Sequence, residues 1–222
     1  MKIEVLYEDN HLIAVKKPVG VLTQRDRTDD VSLMEEVKKH LKEKYKKPGN
    51  VFLGLLHRLD RPVSGVVLFA KTSKGAARLA EQFREGKVEK MYSAVVVGEP
   101  KNKSGDLISY IEKDEKRRKS IVYQNEKTGT QRAELSYETI QSNGKYSLLK
   151  VQIKTGKFHQ IRAQLASMGY PVLGDKKYGA PFSLPDRSIC LSATSLSFFL
   201  ATRHKVEKIE LPVPYEWNRW LK

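Results

Sequence analysis

The chain has 222 residues, 40% of them hydrophobic, which is enough for a substantial core and excludes wholesale disorder. Lysines and arginines number 41 against 26 acidic residues, and the net charge of +15 indicates a polyanionic partner, with nucleic acid first and an anionic membrane surface second. The single cysteine, Cys190, excludes an internal disulfide and a cysteine-based metal cluster. No apolar run suits a signal peptide or a membrane span, so we expect a cytoplasmic protein.

The first quarter of the chain predicts two strands and a helix. In IEVLYEDNHLIAVKKPVG, two short apolar runs surround the turn EDN, which is typical of a hairpin. In SLMEEVKKHLKEKY, apolar residues recur at helical spacing, and Ser32 with Glu35 predicts a capping box at the start. We interpret the lysine-rich face of this helix as solvated, and its apolar stripe is too narrow for a membrane-surface helix. Lys17, next to Pro18, is expected either to contact a phosphate or to be simply exposed.

Two uninterrupted apolar runs, VFLGLL and GVVLFAK, predict buried strands on either side of the segment HRLDRPVS. That segment places one carboxylate, Asp60, between Arg58 and Arg61, and Pro62 stiffens its turn. The flanking guanidinium groups favour an ionised carboxylate, which suits a nucleophile better than a proton donor because no second acid is nearby. A salt-bridged surface turn is the commoner origin of such a pattern, so the segment alone does not establish an active site.

The remainder of the chain predicts mostly strands. Ser73 is the expected cap of a second helix that ends near Gly86, and KMYSAVVVGE is strand-like. Residues 101–130 are polar and rich in turns, and we interpret them as a hairpin or arm that reaches into solvent. AELSYETI and YSLLKVQI predict a hairpin around SNGK, and KFHQIRAQLASMG predicts a short helix with Gly169 as its cap. Many strands and about three helices, in no regular alternation, indicate one α+β domain over residues 1–222.

Four stretches of the sequence, in matching order, resemble the RluA-type family of pseudouridine synthases, which isomerise uridine in ribosomal or transfer RNA. They are the N-terminal block YEDNHLIAVKKPVGVLT, the segment HRLDRPVSG, the tyrosine strand KMYSAVVVG and the arginine-bearing block TGKFHQIRAQLASMGYPVLGDKKYG. Four motifs in order are far more specific than any one of them. The resemblance implies the fold of the family, which is a bent, largely antiparallel mixed sheet with flanking helices and a central catalytic cleft.

The resemblance also implies roles for four residues. Asp60 matches the catalytic carboxylate of the family. Tyr92 matches the tyrosine that stacks on the base and helps to remove its C5 proton, and Arg162 matches the arginine that pairs with the carboxylate. Arg58 matches an arginine that enters the RNA stack as the uridine leaves it. Taken alone, Tyr92 would be an ordinary residue at the edge of the core, and Arg162 would be a solvated helix residue.

Further expectations concern two histidines, the cofactors and the partners. His57 and His159 are interpreted as hydrogen-bonded histidines that support their turns. The reaction adds no water and changes no redox state, so no cofactor or metal is expected. We expect a monomer without an obligate protein partner and without a separate N-terminal RNA-binding domain. The basic surface of the catalytic domain would then recognise the RNA, with KDEKRRK, Lys113 to Lys119, as a candidate arm or merely a solvated loop.

The alternative function is a non-catalytic RNA-binding protein on the same scaffold. The presence of Asp60, Tyr92 and Arg162 together argues against it, because the binding of an anionic ligand needs no carboxylate. The sequence therefore predicts an enzyme that converts a uridine in structured RNA to pseudouridine.

Overall fold

The computed structural model describes residues 1–28, 30–201 and 205–222. Its contacts divide the chain into two compact units. Unit 1 is Met1–Val88 with Ser195–Leu211, and unit 2 is Glu89–Thr194 with Pro212–Lys222. The single catalytic domain over residues 1–222 stays a prediction.

The described residues form strands joined by few helices, in agreement with the α+β class. In chain order the strands are β1 (Val5–Glu8), β2 (Leu12–Lys17), β3 (Gly54–Leu55), β4 (Ser64–Ala70), β5 (Glu89–Val97), β6 (Ser104–Asp114), β7 (Lys119–Tyr123), β8 (Gln131–Ser142), β9 (Tyr146–Ile153), β10 (Leu191–Phe199) and β11 (Val206–Glu210). The helices are α1 (Leu33–Lys44), α2 (Ser73–Arg84), α3 (Gln160–Ser167) and α4 (Asn218–Leu221), with 3-10 turns at Lys176–Tyr178 and Tyr215–Trp217. None of the described helices is long and apolar enough to cross a membrane.

Unit 1 is organised around β2, which pairs antiparallel with both β1 and β4. The predicted β1–β2 hairpin and the predicted strand GVVLFAK are therefore confirmed. Leu12 and Ala14 of β2 and Val66 and Leu68 of β4 lie in one buried apolar cluster. Strand β11 pairs antiparallel with the unit 1 part of β10. This arrangement buries every residue of β2 except Lys16, including the last one, Lys17.

The two long helices of unit 1 begin at side-chain caps. The predicted capping box of α1 is confirmed, since Ser32 Oγ accepts from the Glu35 amide and the Glu35 carboxylate accepts from the Ser32 amide. The cap of α2 is Thr72, whose Oγ1 accepts from the Gly75 amide at 3.1 Å. The prediction of Ser73 was wrong by one residue, because Thr72 is still extended and Ser73 is already helical.

The apolar run VFLGLL forms a strand only at β3, so its prediction as a full buried strand was wrong. Phe52 is 51% exposed, whereas Val51 and Leu53 on either side of it are buried. A Cβ atom added to Gly54 would lie 3.1 Å from the Cβ atom of Ala76 in α2. The strand part of the run therefore approaches α2 closely at its glycine, whereas residues 51–53 before it are irregular.

Unit 2 contains the strand order β5-β9-β8-β6-β7, with antiparallel pairing throughout that series. The predicted hairpin of β8 and β9 is confirmed, and Gly144 takes a φ of 81° at its turn. Residues 101–130 contain the hairpin of β6 and β7, but its body is part of the sheet and is not a free arm. Ile111 and Ser120 are buried, and residues 115–118 at the tip are exposed.

Candidate active site

Asp60 lies in unit 1, in the turn that leads from β3 into β4. A hydrogen bond of 3.0 Å from the Val63 amide to the Asp60 carbonyl closes the turn. Asp60 is partly exposed, whereas Leu59 before it and Val63 after it are buried. The carboxylate is therefore accessible on a turn whose neighbouring side chains are anchored in the core.

Lys17 holds this turn from inside unit 1. Its side chain is fully buried, and its Nζ donates to the carbonyl oxygens of Val63 at 2.6 Å, Pro18 at 3.0 Å and Arg61 at 3.2 Å. An ammonium group has three protons to donate, and it finds three acceptors here. Both expectations for Lys17, phosphate contact and simple exposure, were wrong, because the end of the buried strand β2 delivers this side chain to the carbonyls of the Asp60 turn.

The ionisation of Lys17 is linked to the charge of Asp60. Burial lowers the pKa of Lys17 from 10.5 to about 7, and the negative charge of Asp60 opposes that shift. Desolvation disfavours the ammonium form, and a nearby carboxylate favours it. The lysine thus contributes both hydrogen bonds and a positive potential to the turn that carries Asp60.

We expect the free energy of unfolding to rise with pH between about pH 7 and pH 10.5 because of Lys17. In that window the unfolded chain binds a proton at Lys17 that the folded chain lacks, and stability then increases with pH. Below pH 7 both states hold the proton, so this dependence disappears. Urea midpoints measured across the window, compared with those of Lys17→Met, isolate the effect. Parallel pH profiles of the two proteins would contradict it.

Two further residues of unit 1 clamp the same turn. Thr23 Oγ1 donates to the Leu59 carbonyl at 2.8 Å and accepts from the Leu59 amide at 3.1 Å. Arg61 Nε donates to the Gly20 carbonyl at 2.9 Å, and Arg61 Nη1 forms an ion pair of 2.8 Å with Asp30. The segment after β2 is therefore fastened to both ends of the Asp60 turn, and its conformation is set by residues far away along the chain.

His57 and Arg58 precede the carboxylate and differ in burial. His57 Nε2 accepts from the Leu68 amide at 3.0 Å, and its ring stacks on that of Phe83 at 5.4 Å. These contacts agree with its interpretation as a supporting histidine. Arg58 is exposed. Its predicted entry into the RNA stack stays a prediction.

Tyr92 and Arg162 belong to unit 2. Tyr92 lies in β5, opposite Val151 of β9, and only 8% of its surface is exposed. Its predicted contact with the base stays a prediction. That Tyr92 and Arg162 act together with Asp60 in catalysis likewise stays a prediction from the sequence.

Arg162 forms a buried ion pair with Asp175. Its Nε donates to Oδ2 at 2.6 Å and its Nη2 donates to Oδ1 at 2.9 Å, and the two residues are 5% and 2% exposed. This two-point contact fixes the plane of the guanidinium group. The alternative of a solvated helix arginine was therefore wrong. Asp175 determines how Arg162 is held, which suits the predicted role of this arginine in orienting another anionic group.

Helix α3, which carries Arg162, also buries the polar residues Gln160 and Gln164. The side-chain amide Nε2 of Gln160 donates to the Glu134 carbonyl at 3.0 Å. The side-chain amide Nε2 of Gln164 donates to the carbonyls of Leu107 and Ala133, each at 3.2 Å. The prediction of Gly169 as the C-terminal cap was wrong by one residue, since Met168 is the cap and Gly169 follows it with a φ of 93°.

Tyr178 connects Arg162 to the β6–β7 hairpin. Its ring lies 5.1 Å from the Arg162 guanidinium carbon, within cation–π range. Its hydroxyl oxygen accepts from the Ser120 amide at 2.7 Å and hydrogen-bonds His159 Nδ1 at 2.9 Å. His159 has a left-handed φ of 50° directly before α3, so it supports its turn as interpreted. Tyr178 therefore ties the start of α3 to the hairpin.

Comparison with known proteins identifies the family. The sequence model of RNA pseudouridylate synthases matches residues 11–167, more than half of the chain and a span that includes Asp60, Tyr92 and Arg162. The chain belongs to the RNA pseudouridylate synthase family. The predicted RluA-type family is thereby confirmed, and the comparisons support the predicted isomerase over the non-catalytic alternative.

Two curated relatives and one solved structure illustrate this membership of the RNA pseudouridylate synthase family. The tRNA pseudouridine synthase C of Haemophilus ducreyi is 34% identical over 194 residues, which cover 81% of this chain and 75% of that protein. The ribosomal large subunit pseudouridine synthase D of Borreliella burgdorferi is 32% identical over 185 residues, which cover 80% of this chain but only 55% of that protein. Human RNA pseudouridylate synthase domain containing 4 shares the fold, with a TM-score of 0.80, 23% identity, and coverage of 97% of this chain and 90% of that one.

Sequence reasoning missed the residues that support the proposed catalytic groups in this pseudouridylate synthase. Thr23 gave no local signal, because a buried threonine looks like any strand or turn residue. Asp175 and Tyr178 fall in the quoted block GDKKYG, but no role was assigned to them. Lys17 carried one usable signal, namely a charged residue at the end of a mostly apolar, mostly buried strand.

Proposed function

We propose that this protein converts a uridine in structured RNA to pseudouridine, with Asp60 as the catalytic carboxylate. The observation that carries the proposal is the family match across residues 11–167, which contains the carboxylate, the tyrosine and the arginine in order. The clamped, partly exposed turn of Asp60 supports it, because a catalytic group must be both accessible and held in position.

The reaction is an isomerisation in which atoms and electrons balance within the nucleotide. The bond between C1′ and N1 breaks, the base turns, and a new bond forms between C1′ and C5. The proton on C5 leaves, and N1 gains a proton. Positive charge develops at the sugar when the first bond breaks, so an anionic Asp60 stabilises that stage. We propose that Tyr92 helps to remove the C5 proton, as the resemblance implies.

Access to C1′ requires the uridine to leave its stack. Extrusion of a base costs a few kcal/mol. The exposed Arg58 is placed on the same turn as Asp60, and a guanidinium group can fill a vacated stack beside phosphates. Stacking on an aromatic side chain such as Tyr92 returns about 1–3 kcal/mol per base.

The finer parts of the proposal concern partners and compartment. We propose a cytoplasmic monomer whose partner is RNA, either ribosomal or transfer RNA. The net charge of +15 supports the RNA partner, because neutralised phosphates release counterions and so favour binding.

The proposal is tested by release of the C5 hydrogen. The substrate is RNA from cells that lack the gene and that were grown with uridine tritiated at C5. This RNA should release tritium into water when the purified protein is added, because the reaction replaces the bond between C5 and hydrogen with a bond between C5 and C1′. Mapping of pseudouridines in the same RNA before and after treatment identifies the site. Absence of both tritium release and new pseudouridine would refute the proposed function.

A further inference from the structure

The tip of the β6–β7 hairpin and the 3-10 turn Lys176–Tyr178 form one surface of unit 2. Lys177 Nζ donates to the Arg118 carbonyl at 3.2 Å, and Lys119 Nζ lies 4.9 Å from the centre of the Tyr178 ring. These contacts join segments that are distant along the chain. We call residues 113–119 with 176 and 177 the hairpin-tip surface.

The hairpin-tip surface has a large excess of positive charge. Lys113 forms an ion pair of 2.6 Å with Glu115, and Arg117 Nε lies 3.8 Å from the Asp114 carboxylate. Within the part of the chain that the structure describes, no ion pair compensates the other five cations, which are Lys116, Arg118, Lys119, Lys176 and Lys177. An uncompensated cluster of this kind repels itself unless an anion binds to it.

The backbone of the tip is fastened to the body of unit 2. The Ser120 amide donates to the Tyr178 hydroxyl, and Ser120 Oγ donates to the Phe158 carbonyl. Lys113 Nζ lies 5.1 Å from the centre of the Phe158 ring. The cations therefore project from an ordered scaffold, and binding to it costs less conformational entropy than binding to a free arm.

Arg118 stands where the backbone disfavours a side chain. Its φ is 48°, in the left-handed region that glycine adopts with least strain. Its side chain is exposed and takes part in no described ion pair, so the fold gains nothing evident from an arginine at this position. The exposed guanidinium group of Arg118 is therefore available to an anion at the tip of the hairpin.

Taken together, these features favour the phosphate backbone of a nucleic acid over a membrane as the ligand. Arginine and lysine side chains in a row bind successive phosphate groups. None of the exposed large apolar side chains among the described residues lies on the hairpin-tip surface, so it offers nothing to insert into a lipid bilayer.

We infer that the hairpin-tip surface binds the phosphate backbone of the RNA substrate outside the reacting nucleotide. The inference rests on the proposed function for the identity of the RNA as a substrate. It resolves the two interpretations of KDEKRRK in favour of an RNA contact, and it adds Lys176 and Lys177 to that contact.

The test compares two variants that lose the same charge. The first is Lys116→Ala/Arg118→Gly/Lys177→Ala on the hairpin-tip surface. The second is Lys39→Ala/Lys42→Ala/Lys46→Gly on α1 and the turn after it, where Lys46 has a φ of 49° and so matches Arg118. Because glycine relieves the same backbone strain at both positions, both variants should be folded, with urea midpoints close to that of the wild type.

Binding is measured by fluorescence anisotropy with a labelled RNA stem-loop that has uridines in its loop, at several salt concentrations. We expect the hairpin-tip variant to bind more weakly, with a salt dependence shallower by about two to three in log–log slope, since each lost phosphate contact removes about 0.7–0.9. The α1 variant should keep most of the wild-type slope. Equal slopes for the two variants would overturn the inference, as would wild-type binding to phosphatidylserine vesicles without binding to the stem-loop.

Tritium release separates this inference from the proposed function. If the wild type releases tritium, the hairpin-tip variant should show a raised KM and a retained kcat. If its KM equals that of the α1 variant, the inference fails while the proposed function stands. If the wild type binds the stem-loop through this surface but never releases tritium, the surface is an RNA contact and the proposed catalysis fails.

Discussion

Asp60→Asn is expected to abolish tritium release while RNA binding persists. Asparagine keeps the shape of the side chain but removes the charge that, in the proposed reaction, stabilises the positive charge developing at C1′. We expect turnover to fall by at least about 10⁴-fold, as for other residues that act directly on the reacting bond. Turnover is measured under single-turnover conditions, with binding to the same RNA as the parallel readout.

A matched control uses the same substitution at Asp106, an exposed aspartate of β6. Asp106→Asn should leave turnover and binding near the wild-type values. If Asp60→Asn and the wild type turned over at equal rates, the assignment of Asp60 would be wrong. The variant should also extend the pH window of Lys17 to lower pH, because the charge of Asp60 raises the folded-state pKa of Lys17 against the effect of burial.

Asp175→Ala is expected to lower the free energy of unfolding by about 3–5 kcal/mol. It removes both acceptors that face Arg162 Nε and Nη2 and leaves a buried guanidinium group without that partner. The measurement is urea unfolding followed by circular dichroism. A loss below about 1 kcal/mol, the size found for exposed pairs, would contradict the buried ion pair.

A double substitution separates the structural role of this pair from its role in activity. Arg162→Met/Asp175→Leu replaces both charges with apolar groups, and replacement of a whole buried pair is often neutral or stabilising. We expect this protein to recover most of the stability lost in Asp175→Ala but to remain inactive in tritium release, because the predicted partner of Asp60 is gone. Full activity of the double variant would refute the role assigned to Arg162.

Much of the secondary structure could be predicted because its causes are local. The Ser32–Glu35 capping box depends on residues three apart, and the β8–β9 turn depends on one glycine that adopts a left-handed φ. The errors arose where neighbours in space decide the conformation. VFLGLL has the composition of a strand, yet only Gly54 and Leu55 pair with a neighbouring strand, β4, and most of the run is irregular.

The amino-acid sequence by itself determined the α+β class, through the periodicity of its apolar residues, and the family, through the resemblance of four motifs in order. That resemblance also implies which residues are the proposed catalytic ones. Only the tertiary structure decided what holds those residues. Lys17 meets the carbonyls of the Asp60 turn, and Asp175 meets Arg162, through contacts between segments that no local pattern links. A charged side chain can be buried only where the folded chain supplies its acceptors, and those acceptors come together only after folding.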